Sequence, residues 1–358
     1  MSAAVAATAH PVRVMIVDDS AVVRGMVTRW LEEAGFIIAA IAVDGGQALR
    51  KLADTSVDVC LLDIEMPVMS GLEALPKLLA AKPDLRVIMA STLTERGAEV
   101  TLRALDLGAA DYIAKPSANK LGGADLYRKD LIEKVRHLGA RAARPAPPQA
   151  APRPTLAPPS SDPAGPIEAV VVASSTGGPP ALRRFIAGLG ADWTSPILIA
   201  QHMPPGFTRT LAQMLDPISH LTAREAQNGE PIVPGVIYVA PGDYHMTVRA
   251  AGGGGPSIHL DQGPEVNYCR PSADPLFESA ARFWKGRVLG VVLTGMGRDG
   301  RDGAAVLAKV GGTIIAQDEA TSVVWGMPGA VANAGLAEAV LPLDQIGPYI
   351  ASRARSVA

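Results

Sequence analysis

Two groups of residues in this sequence have the types and spacing to do chemistry. The first is Ser174-Ser175-Thr176-Gly177-Gly178-Pro179-Pro180, which follows the β-branched run Val170-Val171-Val172. Such a run makes a buried strand, and small residues followed by prolines turn it into the first turn of a helix. A hydroxyl on a strand-to-helix turn stands clear of the sheet beside N–H groups that can hold an oxyanion, which suits an acyl-transfer nucleophile. The same stretch also reads as a Gly-rich turn that only packs a helix or cradles a phosphate. Two later strand ends supply what a serine nucleophile lacks. Ile197–Gln201 runs into His202-Met203-Pro204, and Val288–Leu293 runs into Thr294-Gly295-Met296-Gly297-Arg298-Asp299-Gly300. A histidine accepts the serine proton near neutral pH, and a carboxylate fixes its tautomer and stabilises the imidazolium. Asp302 competes with Asp299 for that role, and His220, His245 and His259 compete with His202. Taken singly, His202 reads as a core histidine and Asp299 as an Asp-Gly turn. The chain order Ser, His, Asp differs from the three familiar hydrolase and protease orders, so geometry must decide.

The second group is Asp18, Asp19 and Asp63, with Ser91 and Lys115, each at the end of a short apolar run. Three carboxylates converging on one edge repel unless a divalent cation lies between them, and Mg²⁺ suits so few carboxylates. Such a cation neutralises an incoming phosphoryl group while one aspartate attacks it. Lys115 offers a point charge to the phosphate, and the Ser91 hydroxyl can bond one of its oxygens. Each aspartate alone could cap a helix or turn, but the set on alternate strands fits that reading poorly.

The elements that must carry these residues alternate strand and helix. In the first half, strands are expected at Val12–Val17, Phe36–Val43, Val57–Leu62, Leu85–Ala90 and Asp111–Ala114, with Ser20 capping the first helix and Gly35 ending it. Pro76 interrupts the pattern of the Gly71–Ala80 helix, and the last helix is expected at Leu126–Leu138. Five such units make a doubly wound parallel sheet with its ligands at the carboxyl ends of the strands. Residues 139–166 are rich in Ala and Pro, poor in large apolar residues, and read as a semi-rigid tether, with docking through Arg141, Arg144 and Arg153 as the alternative. From Ile167 the α/β pattern resumes. It is broken by Val236–Ala240, His245–Arg249 and Ser257–Leu260, which the Pro-Gly and poly-Gly turns mark as an antiparallel excursion. The expected domains are 12–138, a linker at 139–166, and 167–355.

At 358 residues, with 48% hydrophobic and 19% charged content, the chain is long enough for two globular domains. Its 33 basic and 35 acidic residues nearly cancel, and no basic stripe follows Ile167, so nucleic acid is not an expected partner. Cys60 and Cys269 lie in no metal-spaced pair, which fits a reducing compartment. No bilayer-length apolar stretch or signal-like start is present, so the expectation is a cytoplasmic protein without membrane insertion.

The motifs carry two resemblances. Val17-Asp18-Asp19-Ser20, Asp63-Ile64-Glu65-Met66-Pro67 with Met69-Ser70-Gly71, and Lys115-Pro116 resemble a response-regulator receiver domain, which is flavodoxin-like. That likeness implies that Asp63 is the phospho-acceptor. It also implies that Asp18, Asp19, Asp63 and the Glu65 backbone carbonyl hold Mg²⁺, and that Ser91, Tyr112 and Lys115 form the switch. Ser70 stands where that family more often has Asp or Asn. The stretches around Ser175, His202 and Thr294–Gly300 resemble the active-site motifs of the CheB-type chemotaxis methylesterase domain, which that family pairs with an amino-terminal receiver. This resemblance implies Ser175 as nucleophile, His202 as general base, Asp299 as its orienting partner, and Thr176 and Met296 lining the oxyanion position through backbone N–H groups. Ala173-Ser174 replaces the family's usual Gly-Ala, adding a second hydroxyl at the turn. The family's activity is hydrolysis of glutamyl methyl esters, often with glutamine deamidation, on chemoreceptors, stimulated by a chemotaxis histidine kinase. Ester hydrolysis itself needs no cofactor in this scheme. The competing class is a response regulator whose second domain binds a partner or DNA without catalysis.

Overall fold

A computed structural model describes residues 11–115, 123–142 and 166–355. Pro116 and residues 143–165 of the Ala/Pro-rich segment lie outside the described residues, and so does the tether reading attached to them. The chain divides into two compact units, Met1–Pro148 and Gln149–Ala358.

In the amino-terminal unit the elements are β1 (Arg13–Val17), α1 (Ala21–Glu33), β2 (Ile37–Ala42), α2 (Gly45–Asp54), β3 (Val59–Asp63), α3 (Gly71–Ala81), β4 (Arg86–Ser91), α4 (Glu95–Asp106), β5 (Asp111–Ala114) and α5 (Gly123–Ala142). The five strands pair in parallel in the order β2-β1-β3-β4-β5, the flavodoxin-like arrangement expected from the alternation. Helix starts follow local chemistry. Ser20 accepts from the Val23 N–H, and Ser70 forms a reciprocal capping box with Glu73. Ser70, the departure from the usual receiver turn, is therefore the N-cap of α3. Pro76 sits inside α3 without ending it. The last helix is longer than expected, reaching from Gly123 to Ala142.

The carboxy-terminal unit contains β6 (Ala169–Ser174), α6 (Gly178–Ala187), β7 (Ile197–Gln201), α7 (Phe207–Leu215), β8 (Thr222–Glu225), β9 (Val236–Val239), β10 (His245–Ala250), β11 (Pro256–Asp261), α8 (Ala273–Trp284), β12 (Val288–Val292), α9 (Arg301–Lys309), β13 (Thr313–Gln317), α10 (Met327–Asn333), β14 (Ala339–Leu341) and α11 (Leu343–Arg355). Seven strands form one parallel sheet in the order β14-β13-β12-β6-β7-β9-β8. Helices cover both faces, so β6, β7 and β12 are buried along their whole length and read as continuous apolar runs. One face packs on α8 through Leu276, Phe277 and Trp284, against Tyr238, Met246 and Leu307.

The antiparallel excursion is present but smaller than its sequence signal. Only β10 and β11 pair antiparallel, as a separate two-stranded sheet. Val236–Val239 pairs in parallel with β7 and with β8 in the main sheet. Three of the four residues of Thr222–Glu225 are polar, and tertiary pairing rather than propensity makes it an edge strand.

Candidate active site

The order β12-β6-β7 puts three carboxyl ends side by side at the centre of the sheet. Backbone hydrogen bonds tie those ends together: His202 N donates to Ser174 O at 3.1 Å, Leu293 N to Ala173 O at 2.9 Å, and Ser175 N to Thr294 O at 3.0 Å. The strand β6 runs on through Ser174, so the two neighbouring hydroxyls face different surroundings. Ser174 is fully buried and donates to Gln201 Oε1 at 2.6 Å. Gln201 in turn donates its Nε2 to the carbonyls of Ser175 and His202. Ser175 is the first residue of the turn and half-buried, and its hydroxyl has no hydrogen-bond partner among the described residues.

His202 is 13% exposed at its side chain, and its Nε2 lies 2.7 Å from Asp299 Oδ2. Asp299 is buried and sits at the start of α8. It accepts from Ser272 Oγ at 2.6 Å, Ala273 N at 2.6 Å, Asn267 Nδ2 at 3.0 Å and Asp274 N at 3.4 Å. Burial pushes the Asp299 carboxyl up, but the hydrogen bonds from His202, Ser272 and Ala273 with the His202 charge hold it well below the usual carboxylate range. The free N–H groups and dipole at the start of α8 act in the same direction. On the opposite edge of the ring, Cys269 Sγ is 3.3 Å from His202 Nδ1.

The rival residues are engaged elsewhere. Asp302 is exposed and paired with Arg301. The Nε2 atoms of His220 and His245 lie against the carbonyls of Trp193 and Pro264, and His259 faces Asp261 at 3.9 Å. Thr176 is buried, and its carbonyl accepts from Thr294 Oγ1 at 2.9 Å. Met296 is half-buried, and its backbone N–H has no acceptor among the described residues, leaving a donor unspent beside the turn.

In the amino-terminal unit, Asp18, Asp19 and Asp63 each offer an oxygen, all within 4.8 Å of one another. Lys115 Nζ lies 3.0 Å from Asp18 Oδ2 and 2.7 Å from Asp63 Oδ2. Burial, with the Asp18 charge adding to it, raises the Asp63 pKa against the pull of Lys115. Burial lowers Lys115, and its bonds to Asp63 and Asp18 outweigh that to raise it. Crowded hard oxygen donors, one of them exposed, fit a small divalent cation with part of its water shell retained. Ser91 Oγ bonds the Gly97 carbonyl and accepts from Thr101 at 2.7 Å, so its hydroxyl faces α4. Tyr112 is buried, with Lys134 Nζ 5.5 Å from its ring centroid.

A family profile described as CheB methylesterase matches residues 170–350, more than half of the chain. This chain belongs to the CheB methylesterase family. A second profile, the response regulator receiver domain, matches residues 14–122. The chain is 48% identical to a protein-glutamate methylesterase/protein-glutamine glutaminase of Maricaulis maris, over 98% of each chain. It is 50% identical to one of the same name from Azospirillum brasilense, over 98% of this chain and 95% of that one. The catalytic-domain crystal structure of Thermotoga maritima CheB methylesterase superposes with a TM-score of 0.51 at 43% identity, covering 52% of this chain and 98% of that one.

For this CheB-family chain, the strand-end reading named Ser175, His202 and Asp299, of which the structure brings His202 and Asp299 into contact, and did not name Asn267, Cys269 and Ser272, which lie against that pair. All three lie in the run Val266-Asn267-Tyr268-Cys269-Arg270-Pro271-Ser272, which ends no parallel strand and carries no spacing signal. The available hint was polar residues just before an amphipathic helix, a helix-start pattern. Close packing at the turn also has a cost on substitution. A Cβ at Gly295 would lie 2.3 Å from Met327 Sδ and 2.9 Å from Ser175 Cβ. Gly295→Ala should therefore displace Ser175 and lower turnover by about 10²-fold. Thermal melting checks that the fold survives, and turnover within threefold of wild type would refute the close-approach argument.

Proposed function

We propose that this chain is a phosphorylation-activated protein-glutamate methylesterase with Ser175 as its nucleophile. The observation that carries the reading is the 2.7 Å His202–Asp299 contact beside a half-buried, unengaged hydroxyl on the β6–α6 turn. Ser175 Oγ attacks the glutamyl ester carbonyl while His202 Nδ1 takes its proton. The imidazolium, stabilised by Asp299, returns that proton to the leaving group, and methanol departs. Water then cleaves the acyl-enzyme with the same base. The Met296 N–H, together with Thr176, is aimed at the oxyanion. A glutamine amide follows the same path with ammonia as the leaving group. The names of the relatives give protein glutamate and glutamine side chains as the substrate class, and we assign them to methylated chemoreceptors.

In this reading residues 12–142 are the receiver, since α5 runs past the expected boundary at 138, residues 143–166 are the linker and 167–355 the catalytic domain. Asp63 accepts a phosphoryl group from a chemotaxis histidine kinase, and Lys115, Ser91 and Tyr112 respond to it. Asp18, Asp19, Asp63 and the Glu65 carbonyl would hold Mg²⁺, which when bound neutralises charge on the phosphoryl oxygens. No described helix is long and apolar enough to cross a membrane, and we assign the protein to the cytoplasm.

The test is methanol release from methylated receptor membranes with and without a small phosphodonor. Wild type should be stimulated, and in Asp63→Asn the ratio of stimulated to unstimulated rate should fall to unity. Stimulation that survives in Asp63→Asn removes the receiver from control of the esterase.

A further inference from the structure

Cys269 lies across the His202 ring from Asp299, and a tight turn fixes its place. Val266 and Cys269 exchange both backbone hydrogen bonds, at 3.2 and 3.0 Å, while Asn267 and Tyr268 between them take φ values of 53° and 62°. Two successive left-handed residues make a mirror-image hairpin turn, which non-glycine residues hold only where their surroundings fix it. Those surroundings are the active site. Asn267 Nδ2 donates to Asp299 at 3.0 Å and to Asp274 at 2.7 Å. After the turn, Arg270 is bound to Asp243 at 3.0 Å and to the Gly263 carbonyl at 2.7 Å.

The tautomer of His202 follows from Asp299. Its other neighbours, the Ser272 hydroxyl, the Asn267 amide and the Ala273 and Asp274 N–H groups, all donate to it. An ionised carboxylate only accepts, so His202 Nε2 carries the hydrogen and the lone pair of the neutral ring is on Nδ1. That lone pair is the one that must take the Ser175 proton, and the Cys269 thiol lies against it at 3.3 Å. We propose that Cys269 is a positioning residue that fills the Nδ1 lone pair of His202 in the resting catalytic unit, so that Ser175 engages its base only when the thiol gives way. This rests on the triad assigned above. The thiol donates its S–H to Nδ1. If the proton crosses, a thiolate faces an imidazolium and the ring has no lone pair left for Ser175.

The electrostatics agree. Burial pulls the His202 pKa down, and the Cys269 charge with the Asp299 hydrogen bond overrides it, raising it to about 10. The other charged groups around the ring and its partners are Asp274, raised to about 6 mainly by burial, and the Arg270–Asp243 pair, with His245 touching Ser272 N. These remain when Cys269 is replaced. His202 is a base only while Nδ1 is bare, and removing the thiol removes a contribution that favours the charged ring. The acid limb of kcat/KM therefore moves to lower pH.

Full-length wild type, Cys269→Ala and Cys269→Ser are compared for methanol release across the pH range. In Cys269→Ala the acid limb should fall by about one pH unit, with the rate on that limb up about tenfold. Cys269→Ser, whose hydroxyl keeps its proton, should lower the acid limb at least as far, while its donor still occupies Nδ1 and holds the plateau rate below that of Cys269→Ala. Iodoacetamide gives a second readout, in which sulfur displaces iodide to form a thioether. Cys60 is fully buried and pushed up to about 12, so it stays silent at neutral pH. Cys269 should be alkylated about tenfold faster in wild type than in His202→Asn, because that variant removes the ring nitrogen that accepts the S–H. An unchanged acid limb in Cys269→Ala, or equal alkylation rates, overturns the proposal. Loss of all esterase activity in Cys269→Ala with activity kept in Ser175→Ala overturns it too, by making Cys269 the nucleophile. Failure of the triad reading is visible separately, as methanol release by Ser175→Ala whatever the alkylation rates.

Discussion

Ser175→Ala should lower methanol release from methylated receptor membranes on the order of a millionfold, about 8 kcal/mol of transition-state stabilisation. The loss is that large because nucleophile and base act as a unit, so the residual rate reflects only the oxyanion donors and binding. Ser174→Ala is the control that gives the number meaning. Its hydroxyl is buried in a bond to Gln201 at 2.6 Å and faces away from the turn. Losing that bond leaves Gln201 Oε1 short of a donor and costs about 1–3 kcal/mol of stability. A denaturant melt should register the change while turnover per folded molecule stays near wild type. Should the two variants exchange roles, with Ser174→Ala inactive and Ser175→Ala active, the nucleophile lies on the other hydroxyl.

Asp299→Asn should lower kcat by about 10⁴-fold with little change in KM. The amide is close to isosteric, so the effect is one of protons. Oδ2 accepts from His202 and Ala273 N, and Oδ1 from Ser272, Asn267 and Asp274 N. Either orientation of an amide turns its NH₂ toward a backbone N–H that can only donate, Ala273 N on one side or Asp274 N on the other. If it faces His202, the ring hydrogen is forced from Nε2 to Nδ1, and the lone pair that should take the Ser175 proton disappears. The variant should also melt at lower temperature than wild type, since a buried donor is left facing donors. A kcat within tenfold of wild type would remove Asp299 from the tautomer-fixing role.

Much of this was legible in the residues. The flavodoxin-like unit follows from apolar runs of four to eight residues alternating with amphipathic segments, and β5 and β7 appear over the residues their patterns mark. Those signals are strong because central parallel strands are buried on both faces. Edges are weaker. Thr222–Glu225 became β8 and Val236–Val239 joined the main sheet, because pairing partners rather than composition decide an edge strand.

By itself the sequence determined the fold class, the pair of units, and which strand ends carry Ser175, His202, Asp299 and the three aspartates of the receiver site, since burial periodicity and turn chemistry are local. The tertiary structure decided which of two adjacent hydroxyls is free, because one ends a buried strand and the next begins the turn. It also decided which ring nitrogen meets the carboxylate, and brought Asn267, Cys269 and Ser272 around the His202–Asp299 pair. These contacts join residues 25 to 97 positions apart in the chain. Only the packing of α8 and its preceding turn against the ends of β7 and β12 brings them within hydrogen-bond range.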